Sequence, residues 1–187
     1  MKDIILASKS PRRIELFKKL NLPFSCITPD IDEAMDLSCG LENAVAKLAF
    51  RKANSIIEKH HNTIVIGADT IVTLENFILG KPRDKQDAFN MLMQLSGKTH
   101  KVMTGVCILT DNRMESFCDT SEVTFYHLTD NEIKKYIATG EPMDKAGAYG
   151  IQGQGALLVK HINGDFYSIM GLPIARINQI LKSYTID

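Results

Sequence analysis

The sequence lacks an excess of charge of either sign, a closely spaced cysteine pair and a long apolar run. Lysine and arginine together number 22, as do aspartate and glutamate, so the formal net charge is zero. A general nucleic-acid binder usually has a basic excess, so that class is not expected. The four cysteines form no C-x-x-C pair, which argues against a thiolate zinc site or a dithiol redox site. They are also too few for a disulfide scaffold, so we expect a reducing compartment.

The apolar runs are too short for targeting or membrane insertion. Residues 4–7 form an apolar run near the start of the chain, and Lys9, Arg12 and Arg13 follow closely. A secretory signal needs about 7–15 apolar residues, and a membrane-spanning helix needs about 18. We therefore expect a soluble, cytoplasmic protein that has neither a membrane nor a nucleic acid as its partner.

Composition and patterning predict a folded α/β protein. Apolar residues make up 44% of the chain and charged residues 24%, which are ordinary values for a globular protein. A chain of 187 residues fits one domain or one domain with two lobes. Helical patterns alternate with strand patterns, but several strands read as hairpins, which favours a mixed sheet flanked by helices over a purely parallel one. We expect any second lobe to be an insertion in one chain-wide fold.

The predicted elements follow from hydrophobic periodicity and from turn residues. Two of the predicted hairpins turn at Glu75-Asn76 and at Asn163-Gly164. The strands are predicted over residues 3–7, 24–28, 63–68, 71–74, 77–79, 101–109, 117–127, 156–162 and 166–169. The helices are predicted over residues 11–20, 41–59, 84–95 and 131–139 and from residue 173 onward, and Ala88, Leu92 and Leu95 are predicted to face inward on the third.

A candidate anion site follows the first predicted strand. The segment 8–13 reads SKSPRR; in it Ser10 can cap a helix that has Pro11 at its first position. Backbone N–H groups at the start of a helix attract anions, and Arg12 and Arg13 can add charge-assisted contacts to phosphate. These residues alone leave open the alternative of a capped helix with solvated arginines.

Two charged residues interrupt apolar patterns. Lys52 lies in the apolar stripe that Val45 and Leu48 mark on the same predicted helix. It either extends along its stem to the surface or lines a polar cleft, and we favour the cleft. Asp69 follows the apolar residues 64–68, so we expect it at the end of a strand, where open α/β sheets bind ligands. A carboxylate there can hold a metal or take a proton, unless it only begins a turn.

Four motifs occur in order along the chain. They are residues 6–16 (LASKSPRRIEL), 67–70 (GADT), 79–82 (LGKP) and 140–153 (GEPMDKAGAYGIQG). Together they closely resemble the motifs of the Maf family of nucleoside triphosphate pyrophosphatases. The resemblance covers nearly the whole chain, from about residue 4 to the segment 171–173 (GLP).

The resemblance implies an enzyme that cleaves a nucleoside triphosphate between its α and β phosphates. The products would be a nucleoside monophosphate and pyrophosphate, and the reaction would need a divalent cation, Mg²⁺ or Mn²⁺. The implied fold is a single domain of residues 1–187 with two lobes and a central cleft, similar to that of inosine triphosphate pyrophosphatases. A homodimer is suggested only by analogy with the family.

The resemblance also implies roles for individual residues. Asp69 would accept a proton from the attacking water, and Glu33 would help Asp69 to hold the metal. The residues that would bind the triphosphate are Ser8, Arg13, Lys52 and Lys81, and those that would set specificity are Arg12, Thr70 and Gln152.

The expected choice of nucleotide base depends mainly on Gln152. Residues 149–153 (YGIQG) resemble the branch of the family that acts on dTTP and UTP, whereas the 7-methyl-GTP branch has a Phe-Lys-x-Glu pattern there. A glutamine amide has a donor and an acceptor, which can match the N3–H and carbonyl groups of uracil and thymine. The alternatives are a pyrophosphatase for 7-methyl-GTP or inosine triphosphate and a nucleotide-binding regulator of septum formation. The family resemblance also suggests a house-cleaning role, with modified pyrimidine nucleotides as further substrates.

Overall fold

Strands and helices alternate along residues 2–184, which are the part of the chain that the computed structural model describes. The strands are β1 (Asp3–Ala7), β2 (Ser25–Cys26), β3 (Thr63–Leu74), β4 (Phe77–Leu79), β5 (Thr99–Leu109), β6 (Met114–Phe125) and β7 (Val159–Asn163). The α-helices are α1 (Pro11–Lys18), α2 (Leu41–Ile57), α3 (Lys85–Leu95), α4 (Asp130–Ala138), α5 (Phe166–Met170) and α6 (Ile174–Leu181). Short 3₁₀ helices occupy Leu37–Cys39, Glu141–Asp144, Ala146–Ala148 and Gln154–Leu158.

The strands form one sheet of mixed direction. Their order is β2-β1-β3-β5-β6-β7, and β4 also pairs with β3. Strand β1 is parallel to both of its neighbours, with Ile5 opposite Ser25 on β2 and opposite Val65 on β3. The β3–β4 and β6–β7 pairs are antiparallel. The predicted mixed α/β fold is therefore confirmed.

The chain divides into two compact units. Of the described residues, the first unit holds those up to Asp69, Thr104–Asp119 and those from Gly171 onward. The second unit holds Thr70–Met103 and Thr120–Met170. Strands β3, β5 and β6 each contribute residues to both units. The assignment of the whole chain to a single domain stays a prediction.

In the first unit, α2 packs on the sheet at very short range. Ala49 and Ala53 of α2 are fully buried in one apolar cluster with Ile5 and Val65. Strand β3 has Gly67 at the contact, and a Cβ atom built there would overlap the carbonyl oxygen of Ala49 and lie 2.8 Å from the backbone nitrogen of Ala53. The missing side chain thus lets the helix backbone lie directly on the strand.

The second unit has its own apolar core around α3 and α4. Ala88, Leu92 and Leu95, the three residues predicted to face inward on α3, are fully buried in it. Both helices begin with a side-chain cap: Asp84 accepts the N–H of Asp87 at 2.8 Å before α3, and Thr129 begins a capping box with Glu132 before α4. Such caps satisfy backbone donors that a helix cannot pair internally.

The prediction that a strand ends at Asp69 is wrong. Strand β3 runs without a break from Thr63 to Leu74, so Asp69 and Thr70 lie in its middle. The residues that follow are Ile71, Val72 and Thr73, which are β-branched and suit an extended chain, and no glycine or proline interrupts them. The hairpin at Glu75-Asn76 is confirmed, since β3 pairs with β4 immediately after it.

The second predicted hairpin, at Asn163-Gly164, is also wrong. Strand β7 pairs with β6, and the residues expected to form its partner are the helix α5 (Phe166–Met170). Asp165 precedes this helix and accepts the N–H of Tyr167 at 2.8 Å. Aspartate at such a position favours the start of a helix over a continued strand. The prediction of a strand was based on the Asn-Gly pair, which is typical of a hairpin turn.

Among residues 2–184 no helix is long and apolar enough to cross a membrane. The longest, α2, has 17 residues and carries Lys47, Arg51 and Lys52.

The contact at Gly67 yields a prediction about stability. Gly67→Ala should lower the free energy of unfolding by about 1–3 kcal/mol, because the new methyl group forces α2 away from β3. Gly80→Ala is the matched control, since a Cβ atom there meets nothing within 4 Å. The measurement is the midpoint of urea unfolding for both variants and the wild type. Equal midpoints for the two variants would contradict the close contact.

Candidate active site

Lys52 joins two carboxylates in the first unit. Its Nζ atom lies 2.7 Å from Oδ1 of Asp69 and 2.9 Å from Oε1 of Glu33. The side chain of Lys52 is only 7% exposed, that of Asp69 is 16% exposed and that of Glu33 is 64% exposed. Lys52 therefore does not extend to the surface, and the expectation that it lines a polar cleft stays a prediction.

The three charges are positioned by different parts of the chain. Lys52 is on α2, which the contact at Gly67 holds against β3, and Asp69 follows Gly67 by two residues on that strand. Glu33 is on the irregular segment before α2. A buried ammonium needs a charged partner, because burial without one is strongly unfavourable. The pairing thus couples the helix, the strand and the segment before the helix.

Arg51 holds the segment that carries Glu33, and the sequence analysis did not identify it. Its guanidinium donates to the carbonyl oxygen of Ala34 at 2.6 Å and also to that of Asp32. These carbonyls flank Glu33 on both sides. The sequence shows an arginine next to Lys52. It does not show which carbonyl groups this arginine binds, because that depends on how residues 32–34 lie against α2.

The SKSPRR segment forms a capped helix start. Ser10 accepts the N–H of Arg13 at 3.5 Å, and the buried Ser8 accepts the N–H of Ser10 on its Oγ at 3.1 Å. The predicted N-cap at Ser10 and the first helical position at Pro11 are confirmed.

Arg13 is held by the far end of the sequence. Its Nε donates to the carbonyl oxygen of Gly171 at 2.8 Å, so the fully solvated arginine of the alternative reading does not apply to it. Burial lowers the pKa of the Arg13 guanidinium, whereas attraction from Asp69 and, more weakly, from Glu33 raises it. Arg13 therefore interacts electrostatically with the same two carboxylates that Lys52 joins. This hydrogen bond to the carbonyl of Gly171 was not among the predictions made from the sequence.

The four remaining predicted site residues lie in both units. Arg12 is half-buried on α1 of the first unit. Thr70 is half-buried on β3, and Lys81 and Gln152 are exposed, all three in the second unit. Lys81 follows Gly80, whose carbonyl accepts the N–H of Gly147 at 3.0 Å. The roles predicted for these four residues stay predictions.

Glu33 and Asp69 are the candidate metal ligands. Carboxylate oxygens are the donors that Mg²⁺ and Mn²⁺ prefer, so the donor chemistry of this pair fits such an ion. Within residues 2–184 there is no group of three or more His, Cys, Asp or Glu side chains that could hold a metal ion. Mg²⁺ commonly binds to one or two carboxylates, with waters and substrate phosphates as its other ligands, so two carboxylates are enough.

Almost all of the described residues match the sequence model of one known family. A family model for Maf-like proteins matches residues 3–184. The chain belongs to the Maf-like protein family. The resemblance of the four sequence motifs to this family is thereby confirmed.

Relatives within this family are similar over their whole length. A dTTP/UTP pyrophosphatase of Bacillus velezensis is 50% identical over 185 residues, which cover 99% of this chain and 98% of the relative. A dTTP/UTP pyrophosphatase of Bacillus cytotoxicus is 50% identical over 184 residues, covering 98% of this chain and 96% of the relative.

The fold also occurs outside these near relatives. The structure of a HAM1 protein from Coxiella burnetii superposes with a TM-score of 0.57 over 98% of this chain and 100% of that one, at 15% sequence identity. At this identity the likeness concerns the fold alone, and it agrees with the mixed α/β architecture of this Maf-like chain.

The contacts of Lys52 yield a prediction about coupling. Lys52→Met keeps most of the stem but removes the ammonium, so the free energy of unfolding should fall by about 1–3 kcal/mol. In combination with Asp69→Asn the losses should not add, because both variants remove the same pair. Most of this coupling should come from Asp69, since the exposed Glu33 contributes little.

The measurement is a double-mutant cycle of urea unfolding. Lys59→Met is the control, because Lys59 is exposed just beyond the end of α2 and should change the unfolding midpoint very little. Additive losses for Lys52→Met and Asp69→Asn would contradict the buried pair.

Proposed function

We propose that this chain hydrolyses dTTP and UTP to the nucleoside monophosphate and pyrophosphate. The observation that carries the proposal is the buried Lys52, which joins Asp69 and Glu33 at 2.7 and 2.9 Å and so gathers a base, a cation and metal ligands in one place. The proposal is supported by two full-length relatives, each 50% identical, that are named dTTP/UTP pyrophosphatases.

The triphosphate would be bound by cations and by the start of α1. Arg13 interacts with Asp69 and Glu33 and is oriented by the carbonyl of Gly171, so its guanidinium has a fixed direction. A guanidinium can bind two phosphate oxygens at once. Ser8, Lys52 and Lys81 are the further phosphate-binding residues of the proposal. Lys52 would shift part of its interaction from the carboxylates to the substrate.

Asp69 would act as the general base. A water oxygen attacks the α phosphorus and forms the new P–O bond, while the water proton passes to the carboxylate of Asp69. The bond between the α phosphorus and the bridging oxygen breaks, and its electron pair leaves with pyrophosphate. Lys52 bonds to Oδ1 of Asp69, so Oδ2 is the oxygen that we assign to the proton. The cations would offset the charge that develops on the departing pyrophosphate, usually the largest catalytic contribution.

Glu33 and Asp69 would hold a divalent cation, Mg²⁺ or Mn²⁺. When bound, such an ion polarises phosphoryl oxygens and offsets their negative charge. The segment that carries Glu33 is tied to Arg51 through the carbonyls of Asp32 and Ala34. This tie would limit the movement of Glu33, although its side chain is exposed.

Base selection would rest on Gln152, with Arg12 and Thr70 as further specificity residues. Gln152 is exposed, so it can reach a ligand, and the donor and acceptor of its amide suit the N3–H and carbonyl groups of uracil and thymine. Modified pyrimidine nucleotides that keep this edge would also be substrates, in a house-cleaning role. We place the activity in the cytoplasm, and a homodimer remains part of the proposal by analogy alone.

The first test is pyrophosphate release from dTTP, UTP, CTP, 7-methyl-GTP and ITP, with Mg²⁺, with Mn²⁺ and after treatment with EDTA. We expect release from dTTP and UTP that stops when the metal is removed. Release mainly from 7-methyl-GTP or ITP would overturn the argument from Gln152 but keep the enzyme class. Nucleotide binding without any release would favour the regulator of septum formation.

The second test is Asp69→Asn, which keeps the shape of the side chain but removes the base. Its kcat should fall by about 100-fold to 10,000-fold or more, while the circular dichroism spectrum stays that of a folded protein. Asp3→Asn, at the exposed start of β1, is the matched control and should keep full activity. Full activity of Asp69→Asn would refute the mechanism.

A further inference from the structure

One carboxylate in the second unit binds both the backbone near Gln152 and a neighbouring tyrosine hydroxyl. Glu141 follows α4, and its Oε2 accepts the N–H of Gln154 at 2.9 Å. Its Oε1 accepts the N–H of Gly155 at 3.2 Å and the hydroxyl of Tyr136 at 2.9 Å. We call residues 149–155 the Gln152 loop. Both oxygens of Glu141 thus serve this loop or the tyrosine beside it.

Tyr136 provides a second tie to the same loop. Its side chain is buried, and its hydroxyl accepts the N–H of Gly150 at 3.0 Å while it donates to Glu141. Burial is the main reason why the pKa of Tyr136 is raised, so the hydroxyl stays protonated and keeps this donor. The loop is therefore bound at Gly150 through the tyrosine and at Gln154 and Gly155 through the carboxylate.

The glycines of the loop allow this close approach. A Cβ atom at Gly153 would overlap the carboxylate of Glu141, and one at Gly150 would lie 3.0 Å from its Oε1 and 2.6 Å from Cε of Lys145. The loop backbone thus lies directly on Glu141. Gln152 lies between these glycines and is exposed.

The loop is anchored at its beginning by an aromatic cluster. Tyr149 is buried, and its hydroxyl lies 2.8 Å from Nε2 of His100. Phe125 contacts both rings edge to face. Burial lowers the pKa of His100 to about 4, so this anchor is uncharged at neutral pH.

We propose that Glu141 is a positioning residue for base selection, which holds the Gln152 loop so that the amide of Gln152 meets the base from one fixed position. The proposal rests on the proposed function and on the role of Gln152 in it. In this role Glu141 acts through the loop and not by contact with the substrate, and its oxygens accept hydrogen bonds from Tyr136, Gln154 and Gly155.

The need for a fixed loop follows from the chemistry of the amide. Thymine and uracil present a carbonyl acceptor where cytosine presents an amino donor. A glutamine amide that can turn over or shift matches either edge equally well. The amide of Gln152 can take one fixed place against the base only if the loop backbone is fixed first. Glu141 fixes that backbone at Gln154 and Gly155, as Tyr136 does at Gly150.

Glu141→Gln is the sharpest variant for a test. The side chain keeps its size, but an amide nitrogen replaces one acceptor and faces a backbone N–H that can no longer be satisfied. We expect the ratio of kcat/KM for dTTP to that for CTP to fall by about tenfold or more, as for the loss of one discriminating contact. Backbone amides of residues 150–155 should exchange hydrogen faster than in the wild type.

A double-variant comparison separates positioning from a structural role. If Glu141 acts through Gln152, Glu141→Gln combined with Gln152→Ala should have the same selectivity as Gln152→Ala alone. Gln152→Ala alone should leave the exchange of residues 154 and 155 unchanged. Additive losses of selectivity, or an unchanged ratio in Glu141→Gln, would overturn the proposal.

Two further variants complete the design. Tyr136→Phe removes only the hydroxyl and should lower the selectivity in the same direction, so it serves as the test if Glu141→Gln does not fold. Glu132→Gln is the control, because Glu132 caps α4 through Thr129 and should lower stability without changing selectivity. A loss of selectivity in this control equal to that of Glu141→Gln would overturn the proposal.

Failure of the proposed function is visible in the wild type alone. If the wild type releases no pyrophosphate from any triphosphate, the proposed function and this proposal both fail. If the wild type is active and prefers dTTP, but Glu141→Gln keeps that preference, only the positioning role fails.

Discussion

The burial of one ammonium group between two carboxylates is the constraint on which the first unit depends. Lys52 has little access to water, and its charge is stabilised by Asp69 at 2.7 Å and Glu33 at 2.9 Å. A buried charge that loses its partner is strongly unfavourable, so the neighbouring elements have to keep those partners in place. Gly67 does so for the strand, because its lack of a side chain lets α2 lie on β3. Arg51 does so for the segment of Glu33.

The second unit meets a similar constraint with backbone groups in place of a cation. The partly buried carboxylate of Glu141 is satisfied by two N–H groups and by the hydroxyl of Tyr136. Ionised acceptors make stronger hydrogen bonds than neutral ones, so a single side chain can hold a loop that contains Gly150, Gly153 and Gly155. A loop so rich in glycine loses much conformational entropy on ordering, and these hydrogen bonds offset that cost.

The sequence predicted those features that depend on local pattern. The cap at Ser10, the buried face of α3 and the hairpin at Glu75-Asn76 follow from residue type and spacing, and all are confirmed. The position of Lys52 in an apolar stripe led us to favour a polar cleft over extension to the surface, and the side chain is indeed buried. Turn-forming signals were less reliable, since the aspartate at position 69 did not end its strand.

Long-range contacts could not be predicted from the pattern of residues in the sequence. The carbonyl of Gly171 orients Arg13, although the two residues are 158 positions apart in the sequence. Every residue has a backbone carbonyl, so the residue types do not indicate which carbonyl an arginine will bind. The clamp of Arg51 on the segment before α2 is of the same kind. Both contacts depend on which backbone carbonyl the fold brings close to the arginine side chain.

The charges of the candidate site also bear on how a triphosphate would be accommodated. Arg13 and Lys52 are matched in number by Asp69 and Glu33, so these four groups together have no net charge. A triphosphate brings several negative charges, and a balanced set of side chains cannot neutralise them. The proposed function therefore requires additional positive charge, which Lys81 and a divalent cation on the two carboxylates would supply. Carboxylates that would otherwise repel the substrate would then link it to the cation, and Lys52 holds them close together through its contacts at 2.7 and 2.9 Å.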